Sequence, residues 1–169
     1  MATTIEILLV DDEVRFLATL AERLSLRRFD VITATNGLEA LEKARGANLD
    51  LALVDLKMPG MDGEELLGKL KQEHPLMEVV ILTGHGSEES KARCENAGSY
   101  EYLQKPCETE ELVAVLRAAF EKRMLRRLEM RRDELEQLME LSVGETSFQA
   151  ILQLKEIEEE LLRRKGGSS

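Results

Sequence analysis

Acidic side chains follow two apolar runs of this sequence, where they could bind a cation together. Asp11 and Asp12 come directly after the run IEILLV (5–10), and Asp55 lies at the end of the run LDLALVDL (49–56). Carboxylate oxygens are the ligands that Mg²⁺ prefers, and three adjacent carboxylates repel one another unless a cation or a raised pKa relieves them. These residues therefore indicate a magnesium site. The alternative is that each acid caps the following helix, where the helix dipole favours negative charge.

Two residues after later apolar runs could bind a phosphoryl group at the same place. Thr83 ends the run EVVILT (78–83), and Lys105 precedes Pro106 shortly after a fifth run. A hydroxyl and an ammonium group both donate hydrogen bonds to phosphoryl oxygens. Gly84 carries no side chain and lets the backbone approach a ligand closely. Taken singly, Thr83 would be a strand-end hydroxyl and Lys105 a solvated loop charge.

Short apolar runs alternate with helical patterns over the first 120 residues. The predicted strands are 5–10, 29–34, 49–56, 78–83 and 100–103. The predicted helices are 14–27, 38–45 after a turn at Asn36-Gly37, 64–73, 88–97 and one that begins at 108. Apolar strands that alternate with helices form a parallel sheet covered on both faces, and right-handed crossovers make this α/β sheet doubly wound. Ligands of such sheets bind beyond the carboxyl ends of the strands, where the residues above lie.

The order of these motifs resembles the receiver domain of two-component response regulators. The motifs are DD at 11–12, DLKMPGMDG at 55–63, TG at 83–84 and KP at 105–106. The resemblance covers about residues 4–122, and the receiver is similar to the chemotaxis regulator, a member of this family. It implies a five-stranded, flavodoxin-like parallel sheet with the strand order 2-1-3-4-5.

The resemblance implies a chemical role for the acidic residues. Asp55 would accept a phosphoryl group from a histidine kinase or a phosphotransfer protein. Mg²⁺ would bind to Asp11, Asp12, Asp55 and the backbone carbonyl of Lys57. Phosphoryl transfer asks mainly for positioning and charge neutralisation, which these groups supply. The chain would then be a signalling switch rather than an enzyme, since its only catalysis is Mg²⁺-dependent phosphorylation and dephosphorylation of its own Asp55.

The phosphoryl group itself would be bound by residues of the later strands. Thr83 and Lys105 would contact the phosphoryl oxygens, with Gly84 and Lys57 beside them. The family pattern also implies a cis bond between Lys105 and Pro106, which is plausible because X–Pro bonds adopt cis at small cost.

The resemblance also implies roles for three further residues, one in the conformational change on phosphorylation and two in the lifetime of the phosphorylated state. Tyr102 matches the aromatic switch position, whose ring turns inward together with Thr83; the alternative is a half-buried aromatic on an edge strand. Lys57 and His85, two residues after Asp55 and Thr83, match positions that tune the phosphoryl lifetime. The alternative for both is a solvated loop residue.

The composition of the sequence changes after about Ala118. Residues 121–142 contain no glycine, proline or β-branched residue, and Leu128 and Leu135 lie seven apart. Apolar residues at spacings of 4, 3 and 4 then recur at Ala150, Leu154, Ile157 and Leu161. These near-heptad spacings predict a helical hairpin or a bent coiled coil.

A break and a polar end divide this region. Residues 142–144 interrupt the helical pattern, and a capping box would begin the next helix at Ser142 with Glu145 or at Thr146 with Gln149. The final GGSS is polar, like the remnant of an expression tag. We therefore expect a receiver domain at 1–122, a helical extension at 123–165 and a flexible tail at 166–169.

Composition narrows the class of protein further. The 169 residues are 43% apolar, which suffices for a core and is too much for a disordered chain. Aromatic residues are 4% without tryptophan, and the net charge is −10, which argues against general nucleic-acid binding. No apolar run could span a membrane, the N-terminus lacks the basic region of a signal peptide, and Cys94 and Cys107 show no metal-binding spacing. A reducing cytoplasm is the expected location.

The leading hypothesis is a cytoplasmic response regulator whose helical extension forms a homodimer or docks a partner. A second hypothesis makes the extension a nucleic-acid-binding output, because 122–132 holds six basic residues and one acid; the simpler interpretation of that stretch is a solvated helix face. A third hypothesis is a scaffold protein whose phosphorylation site is unused. Uptake of a phosphoryl analogue and DNA binding at low salt distinguish the three.

Overall fold

The computed structural model of the protein describes residues 3–141 and 145–167, without the side chains of 145–147. The strands are β1 (Ile5–Val10), β2 (Phe29–Ala34), β3 (Leu51–Val54), β4 (Glu78–Thr83) and β5 (Glu101–Gln104). The helices are α1 (Val14–Ser25), α2 (Gly37–Arg45), α3 (Gly63–Glu73), α4 (Glu88–Asn96), α5 (Thr109–Leu141) and α6 (Glu145–Gly166). The chain divides into two compact units between Phe120 and Glu121.

The strands form one parallel sheet in the order β2-β1-β3-β4-β5, which confirms the predicted fold class and strand order. Val10 of β1 pairs with Val54 of β3, and Val54 pairs with Ile81 of β4, so the carboxyl ends of these strands lie side by side. Every residue of β3 and β4 is buried, as expected for central parallel strands that helices cover on both faces.

Several elements differ from their predicted bounds by one or two residues, such as α1, which ends at Ser25 rather than at residue 27, and β5, which begins at Glu101 rather than at residue 100. The differences at β3 and α2 have a visible structural cause. The ladders that β3 forms with β1 and β4 cover only Leu51–Val54, so this strand is half as long as its apolar run suggested. Gly37 is the first residue of α2 rather than part of a turn, because the Asn36 side chain accepts the Glu39 N–H at 2.9 Å and caps the helix.

The second unit is an antiparallel helical hairpin, which is one of the two predicted alternatives. Glu121 pairs with Arg164 at 2.7 Å, and Glu129 pairs with Lys165 at 2.8 Å, so the early part of this unit lies beside the end of α6. Among the described residues of this unit, the most buried apolar side chains are those of Leu135, Ala150 and Leu161. The hairpin does not bury all of its apolar side chains, because Leu138 and Leu141 near the end of α5 are exposed.

Other expectations for this region have different outcomes. The two predicted capping boxes involve Ser142 and the side chain of Thr146, which lie outside the described residues. Helix α6 ends at Gly166, beside the start of the predicted flexible tail, whose last two residues lie outside the described residues, so the flexibility of the tail stays a prediction. Within the described part of the chain, no helix is long and apolar enough to cross a membrane.

A chain that ends at Lys122 is expected to fold. The first part of α5 buries Leu112, Leu116 and Phe120 in the first unit, and a cut after Lys122 keeps all of them. A chain that ends at Ala118 loses buried Phe120 and is expected to unfold at a lower temperature. Thermal unfolding followed by circular dichroism compares the two. If the chain that ends at Lys122 is unfolded while the full-length protein is folded, this result would contradict the division into two compact units.

Candidate functional site

Three carboxylates meet at the carboxyl ends of β1 and β3. Asp11, Asp12 and Asp55 each place a carboxylate oxygen within 4.8 Å of the others. Backbone hydrogen bonds hold two of them in position, from Asp11 N–H to the Ala34 carbonyl at 3.2 Å and from Asp55 N–H to the Val10 carbonyl at 3.0 Å. Asp11 and Asp55 are buried and Asp12 is exposed, so the cluster opens to solvent on one side.

The electrostatics of this cluster suit a cation. Burial raises the pKa of Asp55, and the negative charge of Asp11 raises it further, although hydrogen bonding from Thr83 and the charge of Lys105 act in the opposite direction. The Leu56 N–H donates to Asp55 Oδ1 at 2.9 Å and orients the carboxylate. An all-oxygen donor set whose members repel one another fits Mg²⁺, because a hard cation takes oxygen ligands and removes the repulsion.

Lys105 joins the acidic cluster from the loop after β5. Its Nζ lies 2.5 Å from Asp11 Oδ2 and 3.7 Å from Glu13 Oε1. The ammonium group also lies over the ring of Phe16, 4.1 Å from the ring centroid. The Lys105 N–H donates to the Thr83 carbonyl at 2.9 Å, which fixes the start of the loop against β4. A positive charge is thus held among the carboxylates, where a phosphoryl group would need it.

The remaining residues of the predicted phosphoryl site surround this position. Thr83 is fully buried, and its Oγ1 accepts the His85 N–H at 3.2 Å. The Lys105–Pro106 bond is cis, as the resemblance implied. An added Cβ at Gly84 would lie 3.9 Å from the Lys105 Cβ, which is ordinary contact. Packing of the chain alone therefore does not require glycine at position 84, and its expected role toward a ligand stays a prediction.

Tyr102 lies inside the fold rather than half-buried on the edge strand. Its side chain is buried, and its hydroxyl lies 2.8 Å from Ser90 Oγ. The ring packs directly on Gly86, where an added Cβ would come within 3.1 Å of a ring carbon. Sequence reasoning missed Ser90, although the spacing of Ser87 and Ser90 is that of a capping box, which the structure contains. The hydrogen bond with the Ser90 hydroxyl keeps Tyr102 in its buried position, and the absence of a side chain at Gly86 leaves room for the ring there.

Gly86→Ala is expected to displace Tyr102 from this buried position, because the new methyl group would overlap the phenol. In a Tyr100→Phe background Tyr102 is the only tyrosine, and its fluorescence should become more accessible to iodide quenching. Gly84→Ala is the matched control, since its Cβ meets only ordinary contacts. Equal quenching of the two variants and the parent would show that the glycine does not set the ring position.

Lys57 and His85 are exposed and line one groove of about 670 Å³. The groove lies between the loop after β3 and the start of α4, and Glu64 and Arg93 also line it. Arg93 binds Glu64 through two hydrogen bonds of 2.8 Å each, a pairing between α3 and α4 that no local sequence signal indicates. The structure therefore brings the two predicted lifetime-tuning residues to the same groove.

The strand order and the site at the carboxyl ends of the strands define a doubly wound α/β domain, and comparison with known proteins gives its family. The model of the response regulator receiver domain matches residues 7–117. The chain therefore belongs to the response regulator receiver family, and the predicted resemblance is confirmed. The crystal structure of a CheY-like receiver domain protein from Methanospirillum hungatei matches with a TM-score of 0.70 and 30% identity, covering 72% of this chain and 98% of that one.

Two curated relatives match about two thirds of this chain. The DNA-binding transcriptional regulator NtrC of Escherichia coli K12 is 36% identical over 110 residues, which are 65% of this chain and 24% of that protein. The transcriptional regulatory protein GlrR of the same strain is 35% identical over 115 residues, which are 68% of this chain and 26% of that protein. The chain thus spans about a quarter of the length of these relatives.

Proposed function

We propose that this protein is a phosphorylation switch in which Asp55 accepts a phosphoryl group from a histidine kinase or a phosphotransfer protein. The observation that carries the proposal is the buried Asp55 beside Asp11 and Asp12, with Lys105 held 2.5 Å from Asp11. Mg²⁺ would be bound by these three carboxylates and by the backbone carbonyl of Lys57. When bound, Mg²⁺ neutralises part of the negative charge of the phosphoryl oxygens.

The residues of this chain provide the rest of the chemistry. An oxygen of Asp55 forms a bond to phosphorus while the bond from phosphorus to the donor imidazole breaks, and the electron pair leaves with the imidazole. The Lys105 ammonium exchanges part of its interaction with Asp11 for the phosphoryl oxygens. The Thr83 hydroxyl, which already hydrogen-bonds within the site, donates to the same oxygens. Hydrolysis of the acyl phosphate returns Asp55 to its free carboxylate and ends the signal.

The switch would be a change in the relative populations of two arrangements of Thr83 and Tyr102. Phosphorylation can shift such an equilibrium only through contacts that differ between the arrangements. The Thr83 hydroxyl faces the phosphoryl site, and the Tyr102 hydroxyl is bonded to Ser90, so each side chain offers one such contact. Lys57 and His85 would tune the lifetime by orienting or screening the attacking water from their shared groove.

The helical extension would act as a homodimerisation element in the cytoplasm. A DNA-binding output is the second candidate, because the relative NtrC is named a DNA-binding regulator. It is the weaker candidate, since basic residues of the hairpin are paired with its own acids, as Arg132 is with Asp133 and Lys165 is with Glu129. Salt-dependent DNA affinity that rises with phosphorylation would favour the second candidate, and absence of binding at low salt would exclude it.

The proposal is tested by adding beryllofluoride, a mimic of the phosphoryl group, in the presence of Mg²⁺. We expect saturable chemical-shift changes at Thr83, Tyr102 and Lys105, and no such changes when Mg²⁺ is omitted. Light scattering on the same samples reports whether the oligomeric state follows the phosphoryl site. A folded protein with no shift change at any mimic concentration would favour the scaffold hypothesis and overturn the proposal.

A further inference from the structure

One side of α6 carries an exposed stripe with a regular repeat. Its members follow at spacings of 4, 3, 4, 3 and 4, and we name them the outer stripe: Phe148, Leu152, Lys155, Glu159, Leu162 and Gly166. All six are exposed, and the fractions for Phe148 and Leu162 are 64% and 73%. The stripe lies on the opposite side of the helix from Ala150 and Leu161, which are buried in the hairpin. Helix α6 therefore has two heptad-like faces, of which the hairpin uses one.

Residues of the outer stripe that lie at equal distances on either side of its centre, near position 157, are complementary to each other. Leu152 and Leu162 lie five residues to either side of that centre, and Lys155 and Glu159 lie two residues to either side. The bulky Phe148 lies as far from the centre as the small Gly166. If a second stripe runs in the opposite direction along the first, each leucine therefore faces a leucine, each cation faces an anion, and the large Phe148 faces the small Gly166.

We propose that the outer stripe binds the outer stripe of a second copy of this chain, antiparallel, with the two-fold axis across α6 near position 157. Leu152 would then pack on the partner's Leu162. Lys155 would pair with the partner's Glu159, and symmetry makes this ion pair twice. An isologous contact of this kind closes at a dimer.

Charge selects the antiparallel arrangement over the parallel one. In a parallel pair, equivalent positions face each other, so Lys155 would face the partner's Lys155 and Glu159 the partner's Glu159. Like charges at such positions are destabilising, whereas opposite charges are favourable and set orientation in coiled coils. Two hairpins joined in this way form a four-helix arrangement in which the exposed leucines of the stripe are covered.

The contact is short, which sets the expected strength of the dimer. The stripe spans 148–166, a length of about 28 Å at 1.5 Å per residue, or fewer than three heptads. We therefore expect a dimer whose population depends on protein concentration. The inference rests on the proposed self-association of the helical extension and does not depend on phosphorylation of Asp55.

Complementation between two variants tests the ion pair directly. Lys155→Glu and Glu159→Lys each place like charges across the interface, and each should raise the dimer dissociation constant at least about tenfold. An equimolar mixture of the two should dimerise again, because every charge then faces its opposite. This rescue cannot arise within one helix, so it separates an interface from a loss of helix stability. Sedimentation equilibrium over a range of concentrations measures all three samples.

A matched control uses the exposed Glu140 of α5, where Glu140→Lys makes the same charge change away from the outer stripe and should leave the dimer intact. Crosslinking then tests the orientation, since disulfides need Cα atoms within about 7 Å. Leu152→Cys mixed with Leu162→Cys should give the mixed crosslink, whereas Leu152→Cys alone should not crosslink to itself. The wild-type protein controls for Cys94 and Cys107.

Each outcome bears on a different statement. A dimer that both charge variants leave unchanged would overturn the outer stripe while the proposed self-association survives. A wild-type protein that is monomeric at all concentrations, both with and without beryllofluoride and Mg²⁺, would overturn the self-association as well. Self-crosslinking of Leu152→Cys would show a parallel pair and overturn the antiparallel arrangement. None of these results alters the proposed phosphorylation of Asp55, which the beryllofluoride experiment tests separately.

Discussion

Asp55→Asn is expected to abolish phosphorylation of this protein while its fold is retained. The amide of asparagine has no carboxylate oxygen to bond phosphorus, and it fits the same buried space beside Asp11. The substitution also removes one of the charges that repel in the cluster, so the thermal midpoint measured without Mg²⁺ should be unchanged or higher. Intact mass after incubation with a small acyl phosphate and Mg²⁺ should show one added phosphoryl group on the wild type and none on the variant.

A matched control uses an aspartate away from the site. Asp30 is exposed on β2, and Asp30→Asn should be phosphorylated as the wild type is. Hydroxylamine should release the group from both phosphorylated proteins, because it cleaves acyl phosphates. A hydroxylamine-sensitive phosphoryl group retained by Asp55→Asn would mean that another carboxylate is the acceptor. An unphosphorylated wild type under conditions that phosphorylate a known receiver would contradict the proposed function itself.

Gly63→Ala is expected to destabilise the first unit by about 3 kcal/mol or more, since overpacking against backbone atoms is relieved only by moving the chain. Gly63 begins α3, and its N–H donates to the Leu56 carbonyl at 2.8 Å. An added Cβ would overlap the Asp55 carbonyl oxygen and come within 2.7 Å of the Leu56 Cα. These are backbone atoms of the segment that contains the proposed phosphoacceptor Asp55, so the substitution should also weaken binding of Mg²⁺ and the phosphoryl mimic.

Gly68→Ala on the same helix is the matched control. Apart from its chain neighbours and the nearby backbone of its own helix, no atom of the described residues lies within 4 Å of a Cβ added at Gly68, and the residue is exposed in the middle of α3. Alanine there should stabilise the protein by about 0.5–1 kcal/mol, because it favours the helix and restricts the unfolded chain. Urea unfolding of both variants measures the difference. Equal stabilities would show that the chain can yield at Gly63 and that the close approach to Asp55 has no consequence.

Several features of the fold follow from local pattern alone. The apolar runs at β1, β2 and β4 were predicted with their observed bounds. For β1 and β4 the reason is that a strand buried on both faces has a continuous apolar sequence, whereas the edge strand β2 is only partly buried. The strand order came from the resemblance, which rests on motifs at four strand ends. The predicted bounds failed where local pattern competes with other interactions, as at Gly37, where the Asn36 cap decides the start of α2.

The sequence by itself determined which chemical groups this protein brings to one edge of its sheet, because a parallel sheet collects the carboxyl ends of its strands on one side. Only the tertiary structure decided their partners. Lys105 and Asp11 are 94 residues apart, and Ser90 reaches Tyr102 from a different element. Such contacts depend on how helices and loops pack around the sheet, and that packing leaves no periodic signal in the chain. The same holds for α6, whose spacing showed a helix while folding decided which face stays exposed.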